Sequence, residues 1–172
     1  MKMPYMYTRL LFLVFIAVLA MTSCKKDSSS TATLSGGTWT AGTPTFTTMV
    51  GTKTLTQYYI DVMGMNATQA QQYSSAVNLA LMQAFTGTIQ FKSDNTFTSN
   101  LGGKPDSGTW SLSADGKKLT VNSSTTAPET LDVTVLTSSK LSVKLMNTVS
   151  EDLNNDGTPE TIIINVELPF TR

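Results

Sequence analysis

The densest cluster of oxygen-bearing side chains in the sequence is Asp152-Leu153-Asn154-Asn155-Asp156-Gly157-Thr158-Pro159-Glu160. Asp, Asn and Asp at alternate positions before a turn-forming Gly match positions 1, 3, 5 and 6 of a calcium loop, where hard oxygens surround the cation. The twelfth position, which should supply a bidentate Glu, is Ile163, and Glu160 stands at the ninth. Asp152, Asn154, Asp156 and Glu160 are thus candidate ligands of a weak, structural calcium ion. The same residue types also make good hairpin loops unaided. Asp61, Asp94, Asp106, Asp115, Glu129 and Asp132 are scattered and fall mostly in turns. Nothing in their spacing asks for the paired acids of glycoside hydrolysis. The chain has no histidine, which removes the commonest general base and the Ser-His and Cys-His pairs. No glycine-rich phosphate loop or nucleophile elbow occurs. The expectation is a protein that is not an enzyme.

Cys24 is the only cysteine, so no internal disulfide can form. It follows basic Lys2 and Arg9 and an uninterrupted apolar run of 11 residues, Leu10 to Ala20. A membrane helix needs about 20 apolar residues, so the run is too short to span and fits a signal sequence. Met21-Thr22-Ser23-Cys24 resembles a bacterial lipoprotein lipobox, with Met21 where Leu is usual. The resemblance implies a signal peptide over 1–23, lipidation of Cys24, and a lipid-anchored protein of the bacterial outer membrane, on its periplasmic or its outer face. Lys25 in place of an acidic residue gives no sign of inner-membrane retention. The Ser/Thr/Lys stretch that follows has almost nothing to bury and reads as a flexible tether over 24–35.

The whole chain balances 12 Lys and Arg against 12 Asp and Glu. Without a basic run it has no footprint for nucleic acid, whose phosphates demand clustered cations. A length of 172 residues suits one domain, expected over 36–172, with a core large enough to stand without staples.

From Trp39 onward, apolar residues alternate with polar ones. Ile89 and Phe91, Trp110 and Leu112, Leu119 and Val121 each share a face. So do Leu131, Val133 and Val135, then Leu141, Val143 and Leu145, then Ile162, Ile164, Val166 and Leu168. Period two means strands with one buried and one wet face. Asp94-Asn95, Asp115-Gly116, Thr137-Ser138-Ser139 and Asp156-Gly157 supply the turns. About eight strands with short links predict a mainly β, antiparallel up-and-down barrel, because closure removes exposed edges.

Residues 53–87 depart from this pattern. Thr54 with Gln57, and Asn66 with Gln69, are capping boxes, and Gly64 and Gly87 are stops. The spacing predicts a helix-turn-helix insertion between strands 1 and 2. Leu55, Tyr59, Val62 and Met63 form one stripe, and Ala70, Tyr73, Val77, Leu81 and Phe85 the other. These stripes must cover a barrel mouth or pack against its outside.

Gly37-Thr38-Trp39 resembles the Gly-x-Trp signature of the lipocalin and fatty-acid-binding-protein barrels. Together with Phe91 to Phe97, Gly108 to Leu112, Asp115 to Leu119 and Val133 to Leu141, it makes residues 34–172 similar to lipocalin-like lipoprotein domains of Bacteroides-type bacteria. The resemblance implies that Trp39 stacks beneath a terminal arginine, here Arg172, and that Trp39, Trp110 and Arg172 close the barrel. It also implies a helical lid, so Tyr59, Tyr73, Val77 and Leu81 are candidate contacts for a small hydrophobic ligand. The rival expectation is a filled barrel acting as a structural or protein-interaction module with an unidentified partner.

Overall fold

The computed structural model describes residues 33–172; the expected signal peptide, Cys24 and most of the expected tether lie outside the described residues. The chain runs through β1 (Thr38–Ala41), β2 (Thr45–Val50), β3 (Lys53–Thr54), α1 (Leu55–Asp61) and α2 (Ala67–Ala84). Then follow β4 (Thr88–Phe91), β5 (Thr96–Ser99), a 3₁₀ turn at Leu101–Gly103, β6 (Asp106–Leu112) and β7 (Lys118–Ser123). The last strands are β8 (Glu129–Leu136), β9 (Lys140–Glu151) and β10 (Glu160–Thr171).

Eight strands close an antiparallel barrel in the order β1-β4-β5-β6-β7-β8-β9-β10. Closure rests on β1, which pairs Trp39 with Ile89 of β4 and Ala41 with Phe170 of β10. The inward faces of these strands form one core that includes Trp39, Phe91, Phe97, Trp110, Leu119, Leu141, Val143, Leu168 and Phe170. Burying a large apolar side chain contributes roughly 1.5–3 kcal/mol, so this ring of residues is the main source of stability.

β9 and β10 are each 12 residues long, longer than the barrel needs. Their surplus projects beyond one mouth, where β2 pairs along β10 from Ile162–Val50 to Glu167–Thr45, and β3 adds to β2. These two short strands were not expected. The insertion between the first two barrel strands is therefore a strand pair followed by the helix pair, and the helices pack on the projecting sheet.

Both capping boxes form. Thr54 and Asn66 accept from the amides of Gln57 and Gln69, whose side chains accept in return from the cap amides. Each cap stabilises its helix by about 1 kcal/mol. Gly64 takes φ +67°, a left-handed conformation open to glycine at little cost, and ends the first helical unit.

Four local expectations are corrected. On α1 the buried residues are Leu55 and Tyr58, whereas Val62 is 45% exposed and Met63 is also exposed. On α2 the buried residues are Ala70 and Ser74, and Tyr73 is 56% exposed. The two helices pack on each other, and Thr56 Oγ1 donates to Ser74 Oγ at 2.8 Å, so that face turns inward. In β8 a register shift between Val133 and Val135 turns Val135 outward and lets Leu136 pair with Leu141. A bulge adds one residue and so flips every side chain beyond it. The domain also begins earlier than 36, because Leu34 is fully buried in the barrel core.

Candidate ligand site at the open end of the barrel

One end of the barrel carries the tight turns between β4 and β5, β6 and β7, and β8 and β9. Trp39 fills its centre and donates from Nε1 to the Leu34 carbonyl at 2.8 Å. The Arg172 guanidinium lies 4.4 Å from the Trp39 ring centroid and donates from Nε to the Ser138 carbonyl at 2.6 Å. Gly36 permits this: a Cβ there would stand 2.7 Å from Arg172 Nη1. Trp110 donates to the Lys92 and Thr96 carbonyls and meets Phe91 edge-on at 5.4 Å. Both indole N–H groups are thus satisfied, as burial requires. Trp39, Trp110 and Arg172 stand together in this closed end, the two indoles about separate backbone carbonyls.

The opposite end is open. A recess of about 170 Å³ enters the barrel there, walled deep inside by Phe91, Phe97, Leu119 and Leu141 and nearer the mouth by Phe85 and Leu101. Phe85, just past α2, brings the helix pair to this mouth and packs on Phe46 with 5.9 Å between ring centroids. Tyr59, Tyr73, Val77 and Leu81 do not line the recess. Tyr59 and Val77 instead pack on a second core of Val50, Leu55, Tyr58 and Ile162, while Tyr73 stacks on Tyr59 at 5.9 Å. Leu81 is half-buried. The tyrosines and Val77 therefore hold the projecting sheet to its helices, and Phe85 is the helical residue at the site. Its place at the end of a 3.6-period stripe gave it the same sequence signature as the others.

The mouth is polar on one side. Asp106 begins β6 and accepts through Oδ1 from Ser123 Oγ at 2.9 Å and from the Ser107 amide at 2.8 Å. Ser124 and Thr125 hydroxyls donate to the same oxygen at 3.3 Å. Burial pushes the Asp106 carboxyl up, but these donors outweigh it and hold the group below the usual carboxylate range. Glu129, at the start of β8, pairs with Val121 across the same rim. Sequence reading placed Asp106 and Glu129 among scattered turn acids; their parity with Trp110 and Leu131 is the signal that could have placed them inward.

The Asp152–Glu160 loop joins β9 to β10 on the projecting sheet. Asp152 accepts from the Asp156 and Gly157 amides at 3.1 and 2.9 Å. Asn154 accepts from the Asp156 amide, and Asp156 from that of Thr158. Glu160 accepts from the Tyr58 hydroxyl and, at 2.8 Å, from the Leu153 amide. The oxygens expected to meet a cation accept from the loop's own amides and, at Glu160, also from the Tyr58 hydroxyl of α1. Among the described residues no three His, Cys, Asp or Glu side chains converge as a metal site.

The chain is similar to a crystal structure of a DUF4847 family protein from Bacteroides vulgatus. The two are 17% identical over 80% of this chain and 93% of that one, with a TM-score of 0.39. No family model and no curated protein matches the chain. Among the described residues no helix is long and apolar enough to cross a membrane.

Proposed function

We propose that the chain is a lipocalin-like lipoprotein, anchored at the outer membrane through Cys24, whose barrel binds a small apolar or amphipathic ligand without transforming it. The observation that carries this reading is the apolar recess of about 170 Å³ left unfilled above Phe91 and Phe97. Engineered apolar cavities of about 150 Å³ stay dry and take up benzene, whereas drug-sized ligands need about 300–1,000 Å³. A single ring or a short alkyl chain is the matching occupant. Because the Leu34 carbonyl accepts from Trp39 at the closed end, a tether from a lipidated Cys24 would join the barrel at that end, away from the mouth.

Leu131→Phe tests the reading, since Leu131 lines the recess and is only half-buried. The added ring should fill the space, abolish uptake of 1-octanol followed by calorimetry, and leave the β-sheet circular dichroism unchanged. Octanol binding equal in both proteins rules out the recess. One observation favours the rival interaction module: Ile60, Val62, Met63, Tyr73 and Leu79 are exposed on the helix pair. A recess-filled variant that keeps its cellular role would favour that module.

A further inference from the structure

The walls of the recess are hydrocarbon, but its rim carries charge of one sign. Along β6 the inward positions run Asp106, Gly108, Trp110, and along β8 they run Glu129, Leu131, Val133. β7 lies between them, with Ser123 opposite Gly108 and Val121 opposite Glu129. Both carboxylates therefore occupy the last inward rung of their strands, where the alternation would otherwise put an apolar residue. Both line the recess, and among the described residues no lysine or arginine does. Lys104, two residues before Asp106, is exposed and does not line it. Arg172, the only arginine among the described residues, is at the far end, over Trp39. Glu129 makes no ion pair among the described residues.

We infer that the ligand of this recess carries a cationic amine head above its apolar group, with Asp106 and Glu129 receiving the head at the rim and Leu119, Leu141 and the phenylalanines receiving the tail. The inference rests on the ligand-binding reading and narrows it. A carboxylate-headed ligand of the same length would set like charges together at the rim, and desolvating it there has no compensating donor among the charged side chains. Asp106 is held ionised at neutral pH by its hydroxyl and amide donors, so the charge stays in place when the tail enters. Gly108, between Asp106 and Trp110 on β6, leaves no room for a side chain: a Cβ there would lie 2.0 Å from the Asn122 carbonyl oxygen of β7 and 3.0 Å from the Phe97 ring.

An isosteric series separates this inference from the reading beneath it. n-Octylamine, 1-octanol and octanoate should be titrated into the full domain by calorimetry at low salt. The amine should bind at least about fivefold more tightly than the alcohol, and octanoate more weakly than both, the scale of one solvent-exposed charge pair. Half-molar salt should shrink the amine's advantage, and Glu129→Gln should reduce the amine-to-alcohol ratio. Asp106→Asn, if it folds, should reduce that ratio further. Octanol binding with no preference for the amine, or octanoate binding best, overturns the cationic head and leaves the apolar site. Binding of none of the three overturns both.

Discussion

The barrel and the projecting lobe share one strand but are held differently. One face of β10 supplies Val166, Leu168 and Phe170 to the barrel core and Ile162 to the lobe core, with Ile164 packed against both. In the barrel that face is enclosed by strands bonded on both sides, and every large side chain meets others across the ring. In the lobe it is covered by two helices that bury little else: α2 has only Ala70 and Ser74 fully buried and leaves Leu79 56% exposed. Continuity of a strand does not imply equal stability along it. Local opening energy follows buried apolar contact, so the lobe should open first, at a lower cost than global unfolding.

The largest effect expected is at Trp39, whose loss removes the plug of the closed end. Trp39→Ala should cost about 3–5 kcal/mol in urea unfolding and accelerate amide exchange across the barrel. Leu55→Ala, in the lobe, should accelerate exchange mainly in α1 and α2. A single cooperative transition with equal losses from both variants would erase the distinction between the two cores.

Alkaline pH should act on the lobe before the barrel. Burial, followed by the hydrogen bond and charge of Glu160, pushes Tyr58 up to about 12 from 10.0. A raised phenol favours the folded state fully below pH 10, and that contribution disappears between pH 10 and 12 as the group ionises. The alkaline limit is therefore a property of the lobe. Tyr58→Phe should lower stability by about 1–2 kcal/mol near neutrality and flatten this alkaline loss. Carboxylate shifts run the other way and occur in both regions: the Thr158 amide holds Asp156 low in the lobe, and two barrel hairpins do the same. The Thr96 hydroxyl holds Asp94 low, and the Ser113 hydroxyl holds Asp115 low. Their contribution is present above their unfolded value of 3.8 and fades as pH falls through the lower folded values. Exchange-detected opening that begins in the barrel hairpins at pH 11 would overturn the assignment.

The smallest effect expected sharpens the closed end alone. In Gly36→Ala the new methyl would displace the flexible Arg172 guanidinium from Trp39, at a cost of about 0.5–1 kcal/mol. Arg172→Ala should cost the same, and the double variant no more, because both remove one interaction. Trp fluorescence reports the change directly. Additive losses would mean that Gly36 matters for another reason.

The elements that local chemistry governs were legible in the sequence. Period-two alternation located Phe91, Trp110, Leu119, Leu141 and Leu168 on inward faces, because a pleat allows only two directions. Thr54–Gln57 and Asn66–Gln69 marked the helix starts, since a capping box closes within four residues. Other features depend on partners distant in sequence, and these only the tertiary structure decided. Which side of α1 is most buried depended on distant partners: Tyr58 packs with Val50 and Ile162 and donates its hydroxyl to Glu160, while Tyr59 lies at the edge of the same core. Val135 was turned outward by its register against β9, which no property of β8 alone specifies. β2 became a strand because β10 extended far enough to pair with it. Asp106 and Glu129 read as loop acids until barrel closure set them on one rim. The physical reason is range: caps, turns and pleats are fixed by neighbours a few residues away, whereas a face, a register or a binding mouth is fixed by what the closed barrel brings opposite.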